Sequence, residues 1–379
     1  MKILHLLYES EGDYFGIGGV GMRAYSIYGY LKERHDVTLL CKNYPGAADG
    51  ERMGLTHRFV GAESRSLTRV LLSYASHAAQ FVRKHGNEYD VIIEDFSPAI
   101  PTFLHTLTRT PVILQLQGYT GRLYFRKYNP FYASILYASE SLRPRCYDHF
   151  ILITKETVTR FRLGKEKHFC IIPNGVSPEL LNMPQKEGKY ILYLGRIDIY
   201  GKGLDILISA YGELNEEFPD VRLVIAGDGR DRETLKEELM ALPAKARKNI
   251  DLAGWVSGDS KKETIEGALF AVSPSRHEVQ PIAVLEAMAC GKAVVVSDNP
   301  EFDFVRDARA GMFFRAGDAR SLARSMKEMM MHAGRGEMGQ RGRERMKDFA
   351  WDQVALKFES FIHKVAERRG NRYQPDLCD

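Results

Sequence analysis

Short runs of consecutive apolar residues alternate along the chain with longer stretches whose apolar positions recur every three or four residues. In the N-terminal half the runs lie at 3–8, 37–41, 91–93, 112–116 and 150–153, and stretches of helical length such as 21–33 and 67–84 fall between them. The C-terminal half repeats the alternation, with runs at 190–194, 223–226, 250–252, 270–272 and 293–296. A strand apolar at nearly every position is buried on both faces, which is the mark of a parallel sheet covered by helices. Strand and helix alternating in two successive series therefore predict an α/β protein of two Rossmann-like domains.

Ile172-Pro173-Asn174-Gly175-Val176-Ser177-Pro178 interrupts the pattern with two prolines and an Asn-Gly pair, so the domains are expected at 1–172 and 173–350. An amphipathic stretch, 351–368, follows and is long enough to dock elsewhere, so 351–379 is read as a separate C-terminal helical segment. Ligands of open parallel sheets bind beyond the carboxyl ends of the strands, and two such domains with their sheets facing would enclose a cleft.

Composition narrows the class. With 379 residues, 44% hydrophobic and 27% charged, the chain has material for packed cores and lies outside the disordered range. A net charge of +4 is too mild to imply a nucleic-acid partner. It is unevenly divided, however, with residues 1–172 at +6 and the remainder at −2. The five cysteines are far apart and form no C-x-x-C, which argues against a disulfide framework or a zinc knuckle and suits a reducing compartment. Residues 1–12 turn polar after the eighth, and no run of about 18 apolar residues occurs, so a cytoplasmic protein without a membrane span is expected.

The segment 273–291 carries the most specific chemistry. It leaves a predicted strand and enters a helix, with Pro281 suited to the first helical position and Gly291 to the residue past the end. The amides of Ile282, Ala283 and Val284 would then emerge at a helix N-terminus, an anion-binding arrangement. Glu286 would lie one turn inside, roughly 6 Å along the axis, within reach of a sugar hydroxyl pair beside a phosphate. Glu278 precedes the helix and would reach another part of the same ligand; solvated surface acids are the plainer alternative. A second segment, 195–203, follows the predicted strand 190–194 and holds Arg196 and Lys202 in a Gly-rich loop suited to neutralising a diphosphate, or equally to an ordinary basic turn.

Together these residues resemble the retaining GT-B glycosyltransferases of family 4, which use nucleotide-sugar donors. The resemblance rests on Gly18-Gly19 after the first strand, Ile172-Pro173-Asn174-Gly175-Val176, Gly195-Arg196 with Lys202-Gly203, and Ala226-Gly227-Asp228-Gly229. Above all it rests on the E-x7-E of Glu278 and Glu286 running into Glu-Ala-Met-Ala-Cys-Gly. It implies a hexose moved from a UDP- or GDP-linked sugar to a hydroxyl acceptor such as a glycan, glycolipid or lipid-linked precursor, with retention. It also implies that Arg196 and Lys202 hold the donor pyrophosphate, Glu286 the ribose, and Glu278 the sugar near its reacting carbon. Gly227, Ile282 and Ala283 would line the donor site. Gly18-Gly19 would close on the phosphates from the opposite domain, and the C-terminal helix would cross back to the N-terminal domain.

Two departures bear on activity. Val279-Gln280-Pro281 stands where the family often has Gly-Phe-Gly, and Gln117-Gly118 where many members have His-Gly. Gln117 can hydrogen-bond a sugar hydroxyl but carries no proton at neutral pH, so a binding-only relative is the competing expectation. A G-x-G-x-x-G at Gly16, Gly18 and Gly21 starts eight residues after Tyr8, and no acid ends the second strand, which leaves an NAD-dependent enzyme a remote alternative. There is no D-x-D and no His/Cys/Asp cluster of ligand spacing, so neither metal nor cofactor is expected. Residues 119–147 interleave eight aromatic residues with Arg122, Arg126, Lys127, Arg143 and Arg145. That composition fits an anionic membrane surface at the inner face, an acceptor site or a buried helix face.

Overall fold

The computed structural model describes residues 1–367 apart from Phe15 and Lys165. Eight strands form the first sheet: β1 (Lys2–Leu7), β2 (Asp36–Lys42), β3 (Gly50–Arg52), β4 (Leu55–Val60), β5 (Val91–Asp95), β6 (Val112–Leu116), β7 (His149–Leu152) and β8 (His168–Ile171). Their order is β3-β4-β2-β1-β5-β6-β7-β8, parallel except between β3 and β4. Side chains alternate across this sheet. Ile3 and Leu7 face a core completed by the helix Gly19–Leu31, while Leu4 and Leu6 face one completed by the helix Leu67–His85.

Six parallel strands form the second sheet: β9 (Tyr190–Leu194), β10 (Arg222–Ala226), β11 (Ile250–Gly254), β12 (Ala268–Ser273), β13 (Val294–Ser297) and β14 (Gly311–Phe314). Their order is β11-β10-β9-β12-β13-β14. Ile191, Leu223 and Phe270 pack on the helices Leu204–Glu217 and Ala319–Met331, and Leu192, Val224 and Ala271 pack on the helix Ile282–Ala289. The α/β architecture with two parallel sheets is the one expected.

Four strands lie outside the predicted runs. β3, β8 and β14 are sheet edges, and β4 is next to an edge, reading Leu-Thr-His-Arg-Phe-Val with only Leu55 and His57 buried. β3 and β4 carry Gly, Glu, Arg and His, which strands at or near an edge tolerate, whereas β8 and β14 hold short apolar runs at 169–172 and 312–314 that the sequence reading passed over.

The chain divides into two compact units, residues 1–174 with the C-terminal helix Trp351–Glu367, and residues 175–350. That helix turns Trp351, Val354, Ala355, Phe358, Phe361, Ile362 and Val365 into the core that contains Ile3, Ala24 and Ile27. The heptad-like spacing of these residues is the amphipathic pattern read from the sequence. Arg368, the last residue of that pattern, and 369–379 lie outside the described residues. Val176 N–H donates to Phe349 O at 2.8 Å in an isolated bridge that sets the first and last residues of the second unit side by side. Among the described residues Cys41, Cys146 and Cys290 are free thiols. No helix among the described residues is long and apolar enough to cross a membrane.

Candidate functional site

In the second unit β9 has β10 on one side and β12 on the other, so the strand order reverses between β9 and β12. Loops that leave two such strands part at their carboxyl ends and open a crevice. Arg196 and Lys202 follow β9, and Glu278 and Glu286 follow β12. The strand order thus places at adjoining strand ends four residues that the sequence spreads over two segments, and of these Lys202 and Glu278 meet.

The two loops are tied to each other. Arg276 makes a two-pronged ion pair with Asp205, at 2.8 and 2.7 Å, and donates to the Tyr200 carbonyl at 2.9 Å. Its guanidinium also lies over the Tyr200 ring, 4.6 Å from the centroid. Gly203 has φ +70°, and a Cβ there would strike the Pro274 carbonyl, so only glycine allows both the turn and the approach. From β13, Ser297 donates to Ser275 O at 2.9 Å and Asn299 to the carbonyls of Ser275 and Arg276. Asp198 caps the short helix Ile199–Lys202 by accepting from Gly201 N–H at 2.8 Å.

This framework sets the charged groups. Lys202 Nζ forms an ion pair with Glu278, whose Oε1 also accepts from Ser275 Oγ at 3.1 Å. Lys261 Nζ pairs with Glu286 at 2.5 Å. Both carboxylates are mostly covered, at 11% and 13% side-chain exposure, which removes the reading of them as freely solvated surface acids. Arg196 is exposed, and its carbonyl accepts from the Tyr193 hydroxyl at 2.8 Å. Burial first, and the Glu278 charge second, hold the Tyr193 phenol well above its ordinary pKa, so it remains a neutral donor.

Ile282 and Ala283 open the helix Ile282–Ala289, which no side chain caps. Their amides precede any possible intrahelical acceptor and are available to an anion. Two details of this terminus differ from expectation. Pro281 is the residue before the helix rather than its first member, and Val284 N–H already donates to Pro281 O at 3.1 Å, which narrows the anion site to two amides. Gly227 has a backbone role of its own: φ is +142°, and a Cβ would collide with the Gly195 carbonyl, so the turn after β10 supports the Arg196 loop directly.

The first unit reverses strand order between β1 and β5. Gly18 lies just before the helix Gly19–Leu31, and the N–H groups of Gly18 and Gly21 donate to Glu9 Oε2 at 2.9 and 3.1 Å. Any anion approaching the Gly18 amide has therefore to replace Glu9. Gln117 follows β6 and donates to Asp95 Oδ1 at 2.7 Å. Buried Asp95 also accepts from Gln115 at 2.6 Å and from His5 Nε2 at 2.9 Å. Arg23, wholly buried, binds the carbonyls of Ile172 and Pro173 and the side chain of Asn174, fixing the backbone that leaves this unit.

Within 119–147, Tyr124, Ala133, Leu136 and Tyr147 are buried. Glu140 gathers the amides of Thr120 and Gly121 and the Tyr124 hydroxyl. Phe131, Ile135 and Leu142 are exposed on one face of the helix Pro130–Leu142, beside exposed Phe125, Tyr128, Arg122, Arg126 and Lys127. The segment is thus only partly a buried helix face.

Sequence reasoning missed Tyr193, Arg276, Lys261, Glu9 and Asp95. Asp95 left a faint trace as an acid ending an apolar run; Arg276 and Lys261 act through partners 71 and 25 residues away, while Tyr193 and Glu9 have nearby partners that no motif marked.

Comparison with known proteins follows the same lines. Residues 17–180 match the model of Glycosyltransferase Family 4, and residues 182–345 that of Glycosyl transferases group 1. The chain is 32% identical over 205 residues to phosphatidyl-myo-inositol mannosyltransferase of Mycobacterium leprae, covering 52% of this chain and 53% of that protein. It therefore spans about half the length of the curated relatives it matches. Sucrose-phosphate synthase from Thermosynechococcus elongatus superposes with a TM-score of 0.76 over 97% of this chain and 100% of its own, at 18% identity. HepE from Anabaena, solved with UDP and glucose, gives 0.75 over 96% and 100%, at 17% identity. Matched through both halves by these two models and sharing their two-sheet fold, the chain belongs to the GT-B glycosyltransferases of family 4.

Proposed function

We propose that the chain is a retaining glycosyltransferase that moves a hexose from a nucleoside diphosphate sugar to a hydroxyl acceptor. The observation that carries this reading is the placement of Lys202 against Glu278, with Arg196 on the same loop as Lys202, where the strand order of the second sheet reverses. Transfer from a diphosphate sugar creates negative charge on the leaving group and positive charge at the anomeric carbon. A cation and a carboxylate held side by side answer both, since fixed charges aimed at developing charge need no reorganisation during reaction. The amides of Ile282 and Ala283 add a second anion site, and Glu286 one turn further in is suited to the ribose hydroxyls. With these groups neutralising the diphosphate, transfer requires no metal ion.

The donor class draws support from a similar structure solved with UDP and glucose, and from a relative named as a mannosyltransferase. That relative's name also supports a lipid-linked acceptor. The exposed Phe131, Ile135 and Leu142 beside Arg126 and Lys127 would place the protein at an anionic membrane surface, where such an acceptor resides.

The test is incubation with UDP-, GDP- and ADP-linked hexoses, following nucleoside diphosphate release and the anomeric configuration of the product by NMR. Diphosphate release with retained configuration is expected, and inversion would overturn the mechanism. Stabilisation by a nucleotide without release would favour the binding-only reading, to which Gln117, an amide bonded to Asp95, lends weight.

A further inference from the structure

Outside the transfer site, the first unit brings together His35, Glu359 and His363. The sequence reading found no metal-ligand cluster, because His35 and Glu359 are 324 residues apart. His35 follows the helix Gly19–Leu31, while Glu359 and His363 lie four residues apart on one face of the C-terminal helix. One donor atom from each residue lies within 4.8 Å of the other two. His35 Nε2 is 2.7 Å from Glu359 Oε1, and the His35 and His363 rings are 5.5 Å apart between centroids. The His35 side chain is 3% exposed and that of Glu359 14%, so the donors are partly withdrawn from water.

We infer that these three residues form a binding site for a divalent transition cation of the zinc class. Two imidazole nitrogens and one carboxylate oxygen are ligands of that class, and three protein ligands leave a fourth position for water. Metal–ligand bonds of about 2.0–2.1 Å place tetrahedral donors roughly 3.4 Å apart. The 2.7 Å between His35 Nε2 and Glu359 Oε1 is below that value and the 4.8 Å limit on the other separations is above it, so modest side-chain rotation closes the site. Arg34 holds the other Glu359 oxygen at 2.9 Å, leaving Oε1 directed at His35. Such outer contacts orient a ligating carboxylate. Bound there, the cation would staple the C-terminal helix to the end of the Gly19–Leu31 helix.

The full chain, stripped with chelator, is titrated with cobalt(II) followed by visible absorption and with zinc(II) followed by calorimetry. One equivalent is expected to bind, with cobalt bands of low-coordinate nitrogen and oxygen ligation. His363→Gln and Glu359→Gln, both at half-buried positions, should each weaken binding by roughly 10–100-fold or more. In the unaltered chain, zinc should move the imidazole nitrogen resonances of His35 and His363, a readout that needs no variant. Absence of stoichiometric binding, equal affinity in His363→Gln, or zinc-induced shifts confined to other histidines would overturn the site.

Discussion

Lys202 and Glu278, 76 residues apart in sequence, hold each other in an ion pair between the loops that follow β9 and β12. On the proposed reading, a diphosphate arriving at Lys202 would compete with Glu278 for the same ammonium and free the carboxylate to face the sugar. Lys202→Ala and Arg196→Ala should each weaken nucleoside diphosphate binding about tenfold or more, the size of a lost charge-assisted contact of ~1.5–3 kcal/mol. Calorimetric titration of both variants checks this, and unchanged affinity in both removes the site.

Glu278 and Glu286 have different partners, Lys202 and Lys261, and should separate in kinetics. Glu286→Gln is expected to raise the donor KM with little change in kcat. Glu278→Gln should lower kcat by about 10²–10³, as loss of a preorganised group facing developing charge does. Steady-state kinetics with varied donor decide it, and an identical defect in both variants would void the separate roles.

Chelation provides a further test. If Arg196, Lys202 and the 282–283 amides neutralise the leaving diphosphate, EDTA leaves turnover intact even while it strips a cation from His35, Glu359 and His363. Turnover abolished by EDTA and restored by magnesium or manganese would contradict metal-independent transfer.

Burial raises the pKa of Glu9, offset in part by the amides of Gly21 and Gly18. The folded chain therefore holds this proton to higher pH than the unfolded chain. Its favourable contribution is full below the ordinary 4.5 and is lost as pH climbs through the raised value. Glu9→Gln keeps an acceptor for both amides and removes that slope. In urea unfolding, the stability of the variant relative to the parent should rise from pH 4.5 towards neutrality, and a difference independent of pH would count against a raised Glu9.

Phe131→Asp and Ile135→Asp place charge on the exposed face of the Pro130–Leu142 helix. Sedimentation with anionic vesicles should fall in both variants while thermal midpoints stay near the parent value, since neither side chain is in a core. Equal vesicle binding would leave the face without a membrane role.

How far the sequence speaks depends on the range of the interaction. β1, β6, β9 and β13 are visible because both faces of each are buried, which forces continuous apolar runs. β4 is not, because a strand next to an edge tolerates Thr, His and Arg. Glu278, Glu286, Arg196 and Lys202 could be named as candidates because each follows a legible strand, in the loop or helix that leaves it. Which cation meets which acid could not be named, since Lys261 reaches Glu286 from another helix and Arg276 spends its charge on Asp205. Pairings of this kind are decided by strand order, which no local pattern records.

The discontinuous first unit also sets an order of events during synthesis. Residues 175–350 emerge from the ribosome as one contiguous stretch carrying all six strands of their sheet, and can fold once that stretch is out. The eight strands nearer the N-terminus emerge earlier but must wait, with Ile3, Ala24 and Ile27 lacking their cover, until Trp351, Phe358 and Ile362 follow. The half of the chain made first is thus the half finished last, and a nascent chain stalled before residue 351 would display an apolar surface that chaperones recognise.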